Sequence, residues 1–316
     1  MIVRWGLGEL QGLLYELEIE RPCLVASPRW SALELPAAAR WQEIPSHRIE
    51  VPDDVDGILA VGGGSAIDTA KAASAASGLP LVSVPTTYSG SEWTPFFGVR
   101  DPDKRMRGGG SGARLAGIVY EPELTLDLSH EDTAGTALNA LAHSAEALYH
   151  PARSEESDRA AAEGAELISG SLPAVLEDGR ALGPRTTLLR GAARAGEALG
   201  RAGLCLGHAI AQALGGRYGL PHGAMNALCL PPALRFNELV AAAEIETFGK
   251  AMGTDDPAGR VVELARLGGF ERLRDFGVPE DELDAVAAAT AERGGAKANP
   301  RPASPAEIAA LLRSIF

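Results

Sequence analysis

The chain has 316 residues, enough for two domains with cores of their own. Hydrophobic residues make up 46% and charged residues 22%, the balance of an ordinary globular protein. The formal net charge is −13 with no basic stripe to offset it, which argues against nucleic acid as a partner; a cation serving an anionic substrate must then be local.

Residues 1 to 128 alternate short apolar runs with helical stretches. Ile2 to Trp5, Cys23 to Ala26, Ile58 to Val61, Leu81 to Val84 and Gly117 to Tyr120 predict buried strands. Gly8 to Glu18 and Ser65 to Ser77 predict crossover helices, and the alternation implies a mainly parallel sheet. Residues 27–56 carry four prolines and lack a convincing second crossover helix. Gly108 to Gly112 reads as a flexible surface insert. From 129 to 316 the pattern is helical, in segments 131–149, 154–176, 185–199, 204–214, 223–236, 239–252, 257–267, 279–293 and 304–315. The first residues lack a signal peptide's apolar core, and no apolar run reaches membrane-spanning length. Cys23, Cys205 and Cys229 show neither a disulfide pattern nor metal spacing, so a cytoplasmic setting is expected.

Val61-Gly62-Gly63-Gly64-Ser65 follows an apolar strand and opens a helix, the context in which glycines let a phosphate approach unpaired N–H groups. Three glycines alone equally fit a tight strand–helix turn. Ser65 is expected as N-cap, with Asp68 completing a capping box. Lys71, one of only four lysines against 25 arginines, lies in the second turn of that helix; a solvated surface lysine is the plainer alternative. Pro85-Thr86-Thr87-Tyr88-Ser89-Gly90-Ser91-Glu92 puts hydroxyls after the next strand, where open α/β sheets bind ligands, although Ser and Thr also favour capped turns.

Asn139-x3-His143 and His208-x13-His222 form the second constellation. An Asp in place of Asn139 would set an anionic oxygen beside three imidazoles, a good divalent-metal set. Asn keeps the shape and removes the charge. Asn139 and His143 share one helix face, His208 and Gln212 another, and the glycines before His222 return it from a loop. Core histidines bonded to backbone are the alternative for any one of them. His47, His130 and His150 fit no site and are expected at the surface.

Five ordered motifs, at 62–71, 85–95, 120–125, 137–149 and 214–222, together resemble the iron-containing alcohol dehydrogenase superfamily, most closely its maleylacetate reductase branch. The resemblance implies an N-terminal Rossmann-like α/β domain, a C-terminal all-α domain and NAD(P)(H) held between them. It implies Gly62, Gly63, Gly64 and Ser65 at the pyrophosphate. Asp68 and Lys71 would support that loop, and Thr86, Thr87 and Ser91 would contact the cofactor. Asn139, His143, His208 and His222 fall on the family's metal positions, and the branch with Asn there is understood to work without metal. Gln212 stands where the family usually has another His, and 27–56 is shortened. No acidic residue follows Ala26 to meet a ribose hydroxyl, while Arg29 could accept a 2′-phosphate, so NADH and NADPH both stay open.

The expected reaction is hydride transfer from NAD(P)H to an oxo-enedioate such as maleylacetate. Charge then spreads into an enolate, which hydrogen-bond donors can stabilise by roughly 3 kcal/mol each. His143, His208 and His222 would hold the substrate anion and relay a proton, with Tyr88 assisting and Arg217 or Arg114 meeting a second carboxylate. The other readings are a metal-dependent alcohol or aldehyde dehydrogenase, a dehydroquinate synthase-like lyase, and a non-catalytic nucleotide-binding protein. The expected partner is a small anionic molecule rather than a membrane, and a homodimer is the default assembly.

Overall fold

The computed structural model describes residues 1–46, 48–101 and 106–316, so His47 lies outside the described residues. The chain packs as two compact units, Met1–Thr87 with Ser91–Asp127, and Tyr88–Gly90 with Leu128–Phe316.

The first unit runs β1 (Ile2–Trp5), α1 (Leu10–Glu16), β2 (Pro22–Ala26), β3 (Ala39–Trp41), β4 (Gly57–Gly62), α2 (Gly64–Ser77), β5 (Pro80–Pro85), β6 (Phe97–Arg100), β7 (Met106–Gly110) and β8 (Arg114–Tyr120). Six strands form one parallel sheet in the order β1-β8-β5-β4-β2-β3. The apolar runs are continuous because both faces are covered. Leu59 and Val61 of β4 pack with Leu10, Leu13 and Leu14 of α1. Ile58 and Ala60 point the other way, onto Ile67, Ala70 and Ala73 of α2. Between β2 and β4 the described residues form no α-helix, only a 3-10 turn at Pro28–Trp30 and the short β3. The chain proceeds from β2 outward to β3, and from β4 through β5 to β8 the opposite way. That reversal between β2 and β4 makes a crevice at their carboxyl ends the ligand position of such sheets.

Gly108 to Gly110 is not the flexible insert expected from composition. These residues are exposed, yet they form part of β7, paired antiparallel with β6. A Cβ at Gly110 would come within 2.8 Å of Phe97 Cζ, and one at Gly109 within 2.9 Å of the Phe97 carbonyl. Cross-strand pairing here overrides the loop preference of glycine.

The second unit is helical: α3 (His130–Tyr149), α4 (Glu155–Glu177), α5 (Leu182–Arg201), α6 (Leu206–Tyr218), α7 (His222–Ala251), α8 (Pro257–Leu267), α9 (Leu283–Ala291), α10 (Gly294–Ala298) and α11 (Pro305–Ser314). Every residue of α3 from Ala137 to Tyr149 is buried, so α3 is a central helix rather than an amphipathic one. Small residues let its neighbours close in. A Cβ at Gly223 would stand 2.3 Å from the Gly135 carbonyl carbon, so the start of α7 lies directly on the backbone of α3. Helix α7 merges two expected segments across a kink at Ala241 (φ −136°, ψ 35°). Ser129, Ser154, Asp256 and Ser304 accept from backbone N–H groups at the starts of α3, α4, α8 and α11.

His130 is exposed as expected, but His150 is half-buried. Its Nδ1 accepts from the Ala152 N–H, and a Cβ at Gly203 would come within 2.9 Å of its ring. No helix among the described residues is long and apolar enough to cross a membrane.

Candidate active site

The glycine loop follows β4, beside the strand reversal. Gly62 takes φ 149°, a conformation that side chains disfavour, and α2 begins at once behind it. The N-cap is therefore Gly63, not Ser65, and no side chain caps the helix. Ser65 stands two residues past the cap position, and it is exposed. The first N–H groups of α2 are thus left to an anion rather than to a hydroxyl. A Cβ on Gly63 would fall 2.8 Å from Thr87 Cγ2, and the Thr86 N–H donates to the Gly62 carbonyl at 3.0 Å. Backbone and threonines are thereby packed into one floor. Thr87 Oγ1 is buried and lacks a protein partner. From the end of β2, Trp30 reaches to 4.0 Å from a Cβ position on Gly62, while the Arg29 guanidinium donates to the Asp127 carbonyl.

Asp68 does not cap the helix, and Lys71 is not a solvated surface lysine. Lys71 is 1% exposed, and its Nζ donates to Ser91 Oγ (2.7 Å), the Phe96 carbonyl (2.7 Å), Asp68 Oδ1 (3.2 Å) and Thr94 Oγ1 (3.3 Å). Asp68 also accepts from Ser91 Oγ and from the Gly98 N–H. One ion pair thus ties α2 to the loop leaving β5. Burial pulls the Lys71 amine below its ordinary value, against the pull of Asp68 and Glu92. Glu92 is itself buried, and burial raises its carboxyl although the Tyr120 hydroxyl donates to it at 2.7 Å.

The second constellation gathers in the helical unit. His143 and His208 stack with centroids 4.7 Å apart and 15° between planes, and His222 lies 5.9 Å from His208. His143 and His208 are buried, whereas His222 is exposed. Asn139 donates from Nδ2 to the Ser89 carbonyl at 3.0 Å. A carbonyl can only accept, so Asn139 Oδ1 must face the other way, where it accepts from Asn226 Nδ2 at 2.7 Å. The same Asn226 amide lies 3.0 Å from His222 Nε2. Burial, then the neighbouring His208 and His222, hold His143 well below the ordinary imidazole range, so it is neutral at pH 7. Gly90, at φ 72°, abuts it: a Cβ there would lie 3.3 Å from His143 Nδ1.

Glu146 is fully buried, and its carboxylate accepts from His208 Nδ1 (2.8 Å), the His208 N–H (3.1 Å) and the Cys205 N–H (2.6 Å). It therefore caps the start of α6, where a helix favours negative charge, and fixes His208 with the proton on Nδ1. His208 Nε2 is left as the reactive nitrogen, buried and without a protein partner. With the ring proton on Nδ1, Nε2 can accept a second proton and, as an imidazolium beside Glu146, pass it on.

The sequence reading missed Glu146, Asn226 and Arg185. Glu146 lies three residues past His143, and Asn226 four past His222, so helical spacing alone would have found both. Arg185 is 2% exposed and donates to the Tyr88 hydroxyl at 3.0 Å and Thr133 Oγ1 at 3.4 Å. Tyr88 is fully buried against it. Gln212 is half-buried on α6. Neither arginine proposed for a second carboxylate stands where that role needs it. Arg217 is engaged by Glu282 at 2.6 Å on the surface. Arg114 begins β8, at the opposite end of the sheet from the glycine loop, and donates to the Gly78 carbonyl.

At the four metal positions the ring nitrogens His143 Nδ1 and His208 Nε2 are buried without a protein partner, while the neutral Asn139 brings no charge to compensate a cation. The Asn139 oxygen is taken by Asn226, whose amide also meets His222, and the Glu146 carboxylate holds His208 by the nitrogen on its far side. Among the described residues, no three His, Cys, Asp or Glu side chains converge as metal ligands do.

Residues 133–316 match the Fe-containing alcohol dehydrogenase family, C-terminal, and residues 51–119 match iron-containing alcohol dehydrogenase. Maleylacetate reductase 2 of Cupriavidus pinatubonensis is 37% identical over 271 residues, covering 83% of this chain and 74% of that protein. A maleylacetate reductase of Delftia acidovorans is 30% identical over 336 residues, covering 99% and 95%. The crystal structure of maleylacetate reductase from Agrobacterium tumefaciens superposes with a TM-score of 0.87 at 27% identity, covering 100% and 95%. With the fold, the glycine loop and the histidine cup in agreement, the chain belongs to the iron-containing alcohol dehydrogenase family, in its maleylacetate reductase branch, as an NAD(P)-dependent oxidoreductase.

Proposed function

We propose that this enzyme transfers hydride from NADH or NADPH to the carbon–carbon double bond of maleylacetate or a related oxo-enedioate, without a metal. The observation that carries the reading is the Glu146–His208 pair beside a neutral His143, in a cup whose fourth member is an amide. Hydride adding to the carbon β to a ketone leaves an enolate rather than an alkoxide. An enolate needs donors and one proton, and the cup supplies both kinds of group. His208 Nε2 handles the proton; His143 and His222 meet the anion; Asn139 and Asn226 keep those rings in place.

In the same reading Gly62, Gly63, Gly64 and Ser65 take the pyrophosphate on the start of α2. Thr86 and Thr87 touch the cofactor. Asp68, Lys71 and Ser91 act one layer behind, by holding the loop. Arg29, at the end of β2, suits a 2′-phosphate, which favours testing NADPH beside NADH. Tyr88 assists through its hydroxyl, with Arg185 behind it. We carry a homodimer and a cytoplasmic setting as parts of this proposal, the latter because all three cysteines are free and buried.

The test is a spectrophotometric screen of NADH and NADPH against oxo-enedioates, aldehydes and alcohols. Cofactor consumption with oxo-enedioates alone is expected. Faster turnover of an alcohol or aldehyde would overturn the substrate class.

A further inference from the structure

A second cavity, of about 460 Å³, lies on another face of α7 from the one that carries His222 and Asn226. Its walls come from α7, α8, residues 270–274 and residues 313–316. Five arginines line it, Arg235, Arg266, Arg272, Arg274 and Arg313, against a single carboxylate, Glu271. The concentration is unusual for a chain of net charge −13. Arg313 is paired with Asp284 at 2.6 Å, and Arg274 donates to the Phe316 carbonyl while lying over its ring. Arg235, Arg266 and Arg272 have no carboxylate partner among the described residues, and all three are exposed. The floor is apolar, with Pro231 and Phe270 buried beneath the guanidiniums.

We infer that this cavity is an anion site distinct from the histidine cup, built for a small aromatic dianion bearing carboxylate or phosphate groups. Like charges gathered at one mouth repel until an anion joins them, and guanidiniums meet carboxylate and phosphate two N–H bonds at a time. The volume falls within the usual range of small-molecule pockets, and the apolar floor suits a flat hydrocarbon body. A polymeric or membrane anion is disfavoured by the chain's net charge of −13.

Isothermal titration of the full chain with phthalate and with phenyl phosphate tests this, at an ionic strength fixed with sodium chloride. One saturable site per chain is expected, and the tighter probe distinguishes carboxylate from phosphate. The Arg266→Ala/Arg272→Ala double variant should bind at least about ten-fold more weakly, with its circular dichroism and NADH titration unchanged. If that variant unfolds, Arg235→Ala takes its place under the same two readings. No saturable heat, equal affinity in the variant, or displacement of the probe by the substrate of the histidine cup would each overturn the assignment.

Discussion

Around β4 and α2 the groups offered to a ligand belong to the backbone, set by glycine geometry and by a helix start that no side chain caps. In the helical unit the groups offered are imidazoles and amides: His208, Asn139 and His222 are each met by another side chain, and His143 stacks on His208. In the first arrangement a side-chain substitution leaves the N–H groups in the chain and acts only by shifting the loop that carries them. The second fails piece by piece, because removing a holder frees the group it holds. Under the proposed function, a change in the cup alters the chemistry and leaves the glycine loop as it is.

The contrast breaks most sharply at His208 and Glu146. His208→Ala should cut turnover by about 10²–10³-fold, the usual worth of one proton-transferring group, while NADH affinity, read by fluorescence titration, stays the same. Glu146→Gln should cost about 10–100-fold and reshape the pH–rate profile, since a neutral amide no longer sets the His208 tautomer. Gly223→Ala comes next. Its methyl would overlap the Gly135 backbone, displacing the start of α7 and His222 with it; a misplacement near 1 Å costs roughly 100-fold in kcat.

Lys71→Met sharpens the other side. The variant leaves Ser91, Thr94 and the Phe96 carbonyl without their shared donor. Denaturant midpoints should show a loss of about 1–3 kcal/mol, with a weaker NADH Kd and kcat retained at saturation. A change in kcat alone would place Lys71 in the chemistry.

The smallest effect is on pH. Because the folded state holds His143 below the ordinary 6.5, the unfolded chain binds a proton that the folded chain refuses. The stability from a neutral His143 is complete above that value and is lost as pH falls beneath it. Urea midpoints between pH 7.5 and 5 should fall less steeply in His143→Gln than in the wild type.

Much of this was legible from residues alone. The five core strands, the two crossover helices and most of the helical segments follow from apolar periodicity and from Gly and Pro breaks, because burial on both sheet faces leaves uninterrupted runs; 223–236 and 239–252 instead form the single α7, and α10 lies in no expected segment. The histidines were legible as spacings, and their meeting was not, since it depends on Gly223 lying against Gly135. The burial of Lys71 was half-legible: it shares a stripe of α2 with Ile67, Ala70 and Ser74. Its partners, 20 to 25 residues further on, left no periodic trace. The capping box at Ser65 failed because a glycine took the cap position. Arg185 could not be read at all. Its partners are neutral oxygens, and Tyr88 lies 97 residues away in sequence.

The central claim is that a cup of imidazoles and amides reduces a conjugated double bond without a metal. The direct measurement is NAD(P)H-dependent reduction of maleylacetate by protein stripped with EDTA, with metal content determined on the same sample. Undiminished turnover is expected at substoichiometric metal, with no gain on adding zinc or iron. Loss of activity on chelation, restored by either ion, would contradict it.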